Sequence, residues 1–427
     1  MFTYNLNISA ANLLKSVHFL TQCALFPTTT AHQHYNSLTL SSDPTEPKAS
    51  GSGSAYTLTL SPDTGFNTLT NTRVSTETHS SGGFISGWLG VIDYPNDQPA
   101  INKSFSYFNF SILIDTESDT CTAQSLYDLN PSELSSIKDE LNSAIKLSSN
   151  TTQATKTRTW AHRWGKTQYN KAFNRVKNYL ASGDTYQINL AMPFICNDNL
   201  TNASPYPLLT KFNGRHACYI KRNDRTIFSV SPERLIRING QELTTSPIKG
   251  TAPRSNNLSI DRQNAADLTA SIKNQAENLM IVDLLRNDLS IHALPHSVKV
   301  EKLYELESHH NVHHLVSTIS AKLKPDTILI DAIRDIFPGG SITGAPKKRA
   351  MEIIKELEAQ PRGAYCGSFG YIDDRGICDF NILIRTIEAK KEGAVCWGGG
   401  GIVIDSELES EYQEIFNKVQ QILDTPL

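Results

Sequence analysis

No two cysteines in this chain are spaced C-x-x-C, and the seven that occur, Cys23, Cys121, Cys196, Cys218, Cys366, Cys378 and Cys396, are scattered and odd in number. That excludes a zinc ribbon and argues against a disulfide framework, so a reducing, cytoplasmic setting is expected. A charge excess is missing as well. Lys and Arg number 40 against 43 Asp and Glu, and a formal charge of −3 cannot supply the basic field that nucleic acid requires. The apolar stretch from Leu13 to Phe26 is interrupted by Lys15, His18 and Gln22 and has no basic flank or cleavage pattern, so it reads as a helix of the fold and gives no reason to expect a membrane partner. No acidic residue precedes Asp43, as in a transit peptide, but the arginines such peptides carry are absent there too.

What is present suits a globular protein that handles a small molecule or a protein partner. The 427 residues, 39% hydrophobic and 19% charged, allow a sizeable core in one large unit or in two domains sharing a cleft. The N-terminal region, residues 1–155, is rich in Thr, Ser, Asn and Gly, with alternating YTLTL and strand-like GFISGWLGVIDY and FSYFNFSILI, then a polar helix from Pro131. The stretch LSSNTTQATKT reads as a linker. Residues 160–427 alternate helix and strand signals: a helix from about Thr167 to Ser182, strands TYQINLAMPFI and TIFSVSPERLIRI, a long helix from Asp267 to Leu289, a helix opening at TGAPKKRAM, strands AYCGSFGYID and DFNILIRTIEA, and a terminal helix from Ser406 to Leu423. Successive strands are close enough for antiparallel pairing, which excludes a doubly wound parallel sheet.

Several residue groups can carry chemistry. In SPIKGTAPR, Pro247, Gly250 and Pro253 shape what reads as a loop around Lys249, which is either a solvent-facing lysine on a turn or a reactive one. Ser406 and Glu409 offer a capping box for the terminal helix, and Glu407, Glu411, Glu414 and Lys418 fall on one of its faces. Alone, that stripe suits a solvated surface. A second acidic helix, with Glu277 at the edge of the apolar face formed by Met280, Ile281, Leu284 and Leu285, makes a shared Mg²⁺ site the other reading, because two converging carboxylates need a cation between them. GGGG at Gly398 to Gly401 is either a tight turn or a backbone cradle for an anion. GGSITGAPKKRA fails as a phosphate loop, since Ala345 and Pro346 stand where its lysine should be. HHNVHH, without HExxH or a cysteine pair nearby, suits one histidine facing a cleft better than zinc.

Taken in order, SPERLIR, PIKGTAPR, ENLMIVDLLRND, HHLVS, SITGAPKKRAM, NILIRT and GGGGIVIDSELESEYQE resemble the chorismate-binding enzyme family from about Thr167 onward. The resemblance implies an α+β fold of αββα layers, with large antiparallel sheets packed face to face and the site between them. It also implies roles: Lys249 as covalent nucleophile and Glu233 as acid to the departing C4 hydroxyl; Glu277 and Glu414, with Glu411 beside them, as Mg²⁺ ligands; His314, Tyr365, Arg385, Lys418, Thr251, Ser341 or Thr343, and the backbone of Gly399 and Gly400 around chorismate. Water-using branches of the family carry lysine where Gln187 stands, and the anthranilate-forming branch carries alanine where Lys249 stands, so the branch implied is the one that aminates C4, with a 2-amino product as the alternative. Such an enzyme needs a neutral lysine, through desolvation or Arg254. No cysteine here lies in a G-x-C-x-G elbow, which implies a separate glutaminase subunit supplying ammonia. The family's Leu-Leu-Glu-Ser tryptophan signature is not found.

Overall fold

The computed structural model describes residues 1–20, 22–27, 55–60, 74–75, 83–95, 105–150, 156–212, 214–309, 312–358 and 360–427. Among these, the strands form one sheet of 12 and one of 9. Gln187–Cys196 is buried at every position but one and lies next to the end of the larger sheet, antiparallel to Gly393–Ile402; a strand covered on both faces has no reason to alternate, hence its continuous apolar run. The larger sheet continues through Thr386–Lys390 and Thr226–Ser229. The smaller one runs from Ile248–Pro253 at its edge through Val312–Lys322, Glu242–Thr245, Arg234–Asn239 and Cys378–Asn381 to Ser368–Asp373 and Gly87–Ile92. Strands from the first 125 residues enter both sheets.

One apolar cluster unites Phe26, Cys218 and Ile220 of the larger sheet with Leu89, Val91, Phe369 and Tyr371 of the smaller, with the Phe26 and Phe369 rings 5.3 Å apart, so the sheets face each other. Helices pack against them. In Lys166–Ala181 the buried residues Tyr169, Ala172, Phe173, Val176 and Leu180 recur at helical spacing, and in Leu408–Leu423 Ile415, Val419 and Ile422 continue a stripe headed by Glu411. The fold is therefore α+β with large antiparallel sheets. All seven cysteines are buried and free, and among the described residues no helix is long and apolar enough to cross a membrane.

Several elements differ from the sequence expectations. The segment from Leu13 to Phe26 is a helix only to Ser16, then a short 3-10 turn and the strand Cys23–Pro27. The long acidic helix is two, Leu258–Ala270 and Ile272–Ser290, because Ser271 leaves helical geometry and its side chain accepts from Asn274 N–H as an N-cap. Helix Pro131–Asn150 takes in the start of the linker stretch, and residues 151–155 lie outside the described residues, as does most of Thr28 to Gly83. FSYFNFSILI is two strands in different sheets. TIFSVSPERLIRI and DFNILIRTIEA are likewise split, each leaving one sheet for the other, at Val230–Glu233 and at Ile382–Arg385. Pro232 has no N–H to continue a ladder, and Arg385 takes φ +52°. The two crossings are tied together: Ile382 N–H donates to Glu233 O at 3.0 Å, Val230 N–H to Arg385 O at 3.2 Å, and Ser231 Oγ to Ile382 O at 2.5 Å.

Candidate active site

The first crossing delivers Glu233 to the interior, where it is 6% exposed. Its Oε1 accepts from Ser341 Oγ at 2.9 Å. Burial raises its pKa, against the pull of the Lys249 charge and the Ser341 hydrogen bond, so the acid form is favoured. Lys249 comes from the edge of the smaller sheet. Its segment is a strand, not the loop that Pro247, Gly250 and Pro253 suggested: Ile248–Pro253 pairs with Val312–Lys322 and slips register between Ile248 and Thr251, a bulge that Gly250 permits at φ +93°. Lys249 Nζ lies 3.5 Å from Ser341 O, long for a hydrogen bond. Burial lowers its pKa, although Glu233 and Glu277 pull the other way. Arg254 is not responsible: it grips Asp261 through Nε at 2.9 Å and Nη2 at 3.0 Å.

The carboxylates come from two helices. Lys273 Nζ lies 3.9 Å from both Glu277 Oε1 and Glu411 Oε1, joining Ile272–Ser290 to Leu408–Leu423. Burial raises the pKa of Glu277 and of Glu411, and Ser406 Oγ donates to Glu411 at 2.7 Å. The capping box is therefore not made: Glu407 is the N-cap without a side-chain bond, and Glu409 pairs with Lys166 at 2.6 Å. Burial opposes ionisation of Glu414 too, but the Lys418 charge and hydrogen bond, at 2.6 Å, hold its pKa below the ordinary value. Lys418 Nζ also donates to Gly399 O at 3.0 Å. GGGG is the inner half of a strand and not a turn. A Cβ on Gly398 would stand 2.7 Å from Ile415 Cγ2, so the glycine lets the terminal helix lie close; one on Gly400 would stand 3.2 Å from Glu411 Oε2 and 3.9 Å from Glu414 Oε1.

The other predicted residues fall into two groups. Thr251 Oγ1 and His314 Nδ1 are 3.0 Å apart across the strand pair, and burial, followed by the charges of His309 and Arg385, holds His314 down to about 4, hence neutral. Tyr365 is buried and stacked on Trp397 at 5.9 Å and 7°. Of the other histidines, His313 is a strand residue bound to Ser308 Oγ at 2.8 Å and Asp261 Oδ1 at 3.1 Å, and His310 lies outside the described residues. Thr343 Oγ1 donates to Gly339 O at 3.0 Å, so its hydroxyl is taken by its own turn. Both carboxamide atoms of Gln187 are buried without a hydrogen-bond partner, beside Gly401. Sequence reasoning missed Lys273, signalled only by its i,i+4 spacing to Glu277, and the buried pair Glu358 and Arg362, signalled only by the same spacing.

The donor set of Glu277, Glu411 and Glu414 is all hard oxygen, the chemistry that suits Mg²⁺, and Lys273 shows that a positive charge is accommodated beside two of them. Among the described residues no three His, Cys, Asp or Glu side chains are gathered as a ready metal cage; Mg²⁺ needs only one or two carboxylates beside water and substrate oxygens.

Comparison with known proteins gives this arrangement a family. Over 268 residues the chain is 47% identical to aminodeoxychorismate synthase component 1 of Salmonella typhimurium, and over 270 residues 46% identical to the Escherichia coli protein of that name. Those matches take in 62% and 63% of this chain, and the chain spans 59% and 60% of the length of those relatives. The solved structure of anthranilate synthase component I from Streptococcus pneumoniae TIGR4 superposes with a TM-score of 0.67 at 26% identity, over 82% of this chain and 83% of that one. The family model described as chorismate binding enzyme matches residues 66–424, and the chain belongs to that family.

Proposed function

We propose that the chain converts chorismate and ammonia to 4-amino-4-deoxychorismate, in a reducing cytoplasm, with ammonia delivered by a glutaminase subunit. One observation carries this reading: Lys249 and Glu233, an amine pushed towards its neutral form and a carboxyl pushed towards its protonated form, bracket Ser341. The names of the relatives at 46–47% identity support it. In this reading Glu233 gives its proton to the C4 hydroxyl while Lys249 Nζ attacks C2. The C2–N bond forms, the ring double bonds shift, and the C4–O bond breaks to release water. Ammonia then attacks C4 and gives up one proton, which restores Glu233, the double bonds shift back, and the C2–N bond breaks to return Lys249 as the neutral amine; the pyruvyl ether is untouched.

Glu277 and Glu414, with Glu411 beside them, would hold Mg²⁺, which supplies positive charge opposite a substrate carboxylate. Arg385 and Lys418 hold chorismate's carboxylates, His314 and Thr251 line the ring, Tyr365 packs on it, and Gly399 and Gly400 leave the room. The test is product identity. Purified protein with chorismate, Mg²⁺ and ammonium at raised pH should yield 4-amino-4-deoxychorismate by mass spectrometry; anthranilate or another 2-amino product would overturn the reading.

A further inference from the structure

The Arg362 side chain is 1% exposed. Its guanidinium pairs with the equally buried Glu358 through Nε to Oε2 and Nη2 to Oε1, both 2.7 Å. It also donates to Ile342 O through Nη1 at 3.1 Å and to Asn189 O through Nη2 at 2.7 Å. Glu358 Oε1 further accepts from Ala191 N–H at 3.0 Å. The guanidinium carbon stands 4.7 Å from the Tyr94 ring and 5.6 Å from the Tyr365 ring. One cation thus ties together the Gln187–Cys196 strand, the 3-10 turn Gly340–Ile342 and the Tyr365 ring. A lysine in its place has no planar fork with which to reach carboxylate and both carbonyls together.

The turn held by Ile342 O is the one that presents Ser341 to both reactive groups. We infer that Arg362 is a positioning residue for the acid, acting through the Ile342 carbonyl to set the Ser341 hydroxyl against Glu233. The inference rests on the proposed function for its chemical meaning, but its geometry does not depend on chorismate. Glu233 is faced by the hydroxyl of Ser341, by a backbone hydrogen bond from Ile248 and by the charges of Lys249, Lys418 and Arg385. Of these the hydroxyl is the hydrogen-bonding group that the turn itself carries, while Lys249 meets the turn only at the Ser341 carbonyl, 3.5 Å away, so a loosened turn changes the acid chiefly through the hydroxyl's bond. An Arg362 that merely stabilised the fold would leave the Glu233 carboxyl where it was.

The experiment is a carboxyl ¹³C NMR titration of Glu233 in the free full-length protein, its signal assigned by loss in Glu233→Gln, for the wild type, Ser341→Ala, Arg362→Lys and the double variant. Ser341→Ala should move the Glu233 titration to higher pH, because a hydrogen bond to the carboxylate form is lost. Arg362→Lys should move it the same way, and the double variant should lie no higher than Ser341→Ala alone. Should Arg362→Lys fail to fold, Glu358→Gln, which keeps an acceptor for Ala191 N–H, should give the same pattern. An unmoved titration in Arg362→Lys, or in Glu358→Gln in its place, or full additivity with Ser341→Ala, overturns the inference. In turnover, kcat should fall by about tenfold or more with KM little changed. A wild type that aminates nothing would end the functional reading, while the titration would still decide this one.

Discussion

Ser341 Oγ donates to Glu233 Oε1 at 2.9 Å while the carbonyl of the same serine lies 3.5 Å from Lys249 Nζ, so one residue borders both the proposed acid and the proposed nucleophile. In the proposed reaction the reactive form has Glu233 protonated and Lys249 neutral. Activity should therefore rise with pH as Lys249 loses its proton, at a pKa lowered by burial, and fall as Glu233 loses its own, at a pKa raised by burial. Glu233→Gln should cut kcat by about 10²-fold or more and remove the descending limb; a bell-shaped profile in that variant would transfer the acid role elsewhere.

Lys249→Ala should lose most of the 4-amino product and leave at most a trace of 2-amino product. Lys249→Arg should not rescue it, since a guanidinium stays protonated. With ammonia withheld, intact-protein mass spectrometry should find a chorismate-derived adduct, and peptide mapping should place it on Lys249. Undiminished 4-amino product from Lys249→Ala would make the lysine a bystander.

Glu277→Gln and Glu414→Gln should each abolish Mg²⁺-dependent turnover, and calorimetric titration should show weakened Mg²⁺ binding. Gly400→Ala, whose Cβ would stand 3.2 Å from Glu411 Oε2, should weaken it as well without touching a carboxylate. Near-normal Mg²⁺ affinity in both glutamine variants would reassign the ligands.

Glutamine should not replace ammonium for the single purified chain. Turnover with glutamine alone, measured as glutamate release coupled to the aminated product, would contradict the need for a partner.

Arg254 and Asp261 hold the far end of the lysine strand, and Asp261, hydrogen-bonded to Arg254 and despite its burial, titrates well below the usual carboxylate range. A depressed folded pKa means stabilisation that is complete above the unfolded value of about 3.9 and lost as pH falls from there towards the folded one. The denaturant midpoint of Asp261→Asn should therefore trail the wild type at neutral pH, and the gap should narrow below about pH 4. A gap independent of pH would show that the ion pair contributes nothing.

Legibility followed the range over which each residue's surroundings are set. Glu411, Glu414 and Lys418 could be placed on one face because helical period projects spacing directly, and Glu277 at the edge of an apolar stripe was visible for the same reason. Pro247, Gly250 and Pro253 are turn residues and point to a loop around Lys249; in an edge strand the same glycine makes a bulge. That GGGG continues a strand depends on the helix lying over Gly398, and that TIFSVSPERLIRI changes sheets depends on a partner strand more than 100 residues away, at Cys378–Asn381. Neither is a local property. The roles of Glu233 and Arg385 entered through family resemblance, and Arg362, following a proline outside any helix, had the local look of a surface arginine, yet is among the largest fully buried side chains.

The double crossing has a mechanical consequence. Glu233 and Arg385 sit at the two points where the chain leaves one sheet for the other, stitched by three hydrogen bonds, while Lys249 rides the edge of the smaller sheet and Gly399 and Gly400 belong to the larger. The distance between the proposed nucleophile and the proposed substrate cradle is thus set by how the two sheets sit on each other, and the crossings tie the layers together. A substitution in the inter-sheet contact of Phe26 with Phe369, well away from any reacting atom, can then detune the rate by shearing the two layers, since a misplacement of about 1 Å is enough to cost on the order of 10²-fold.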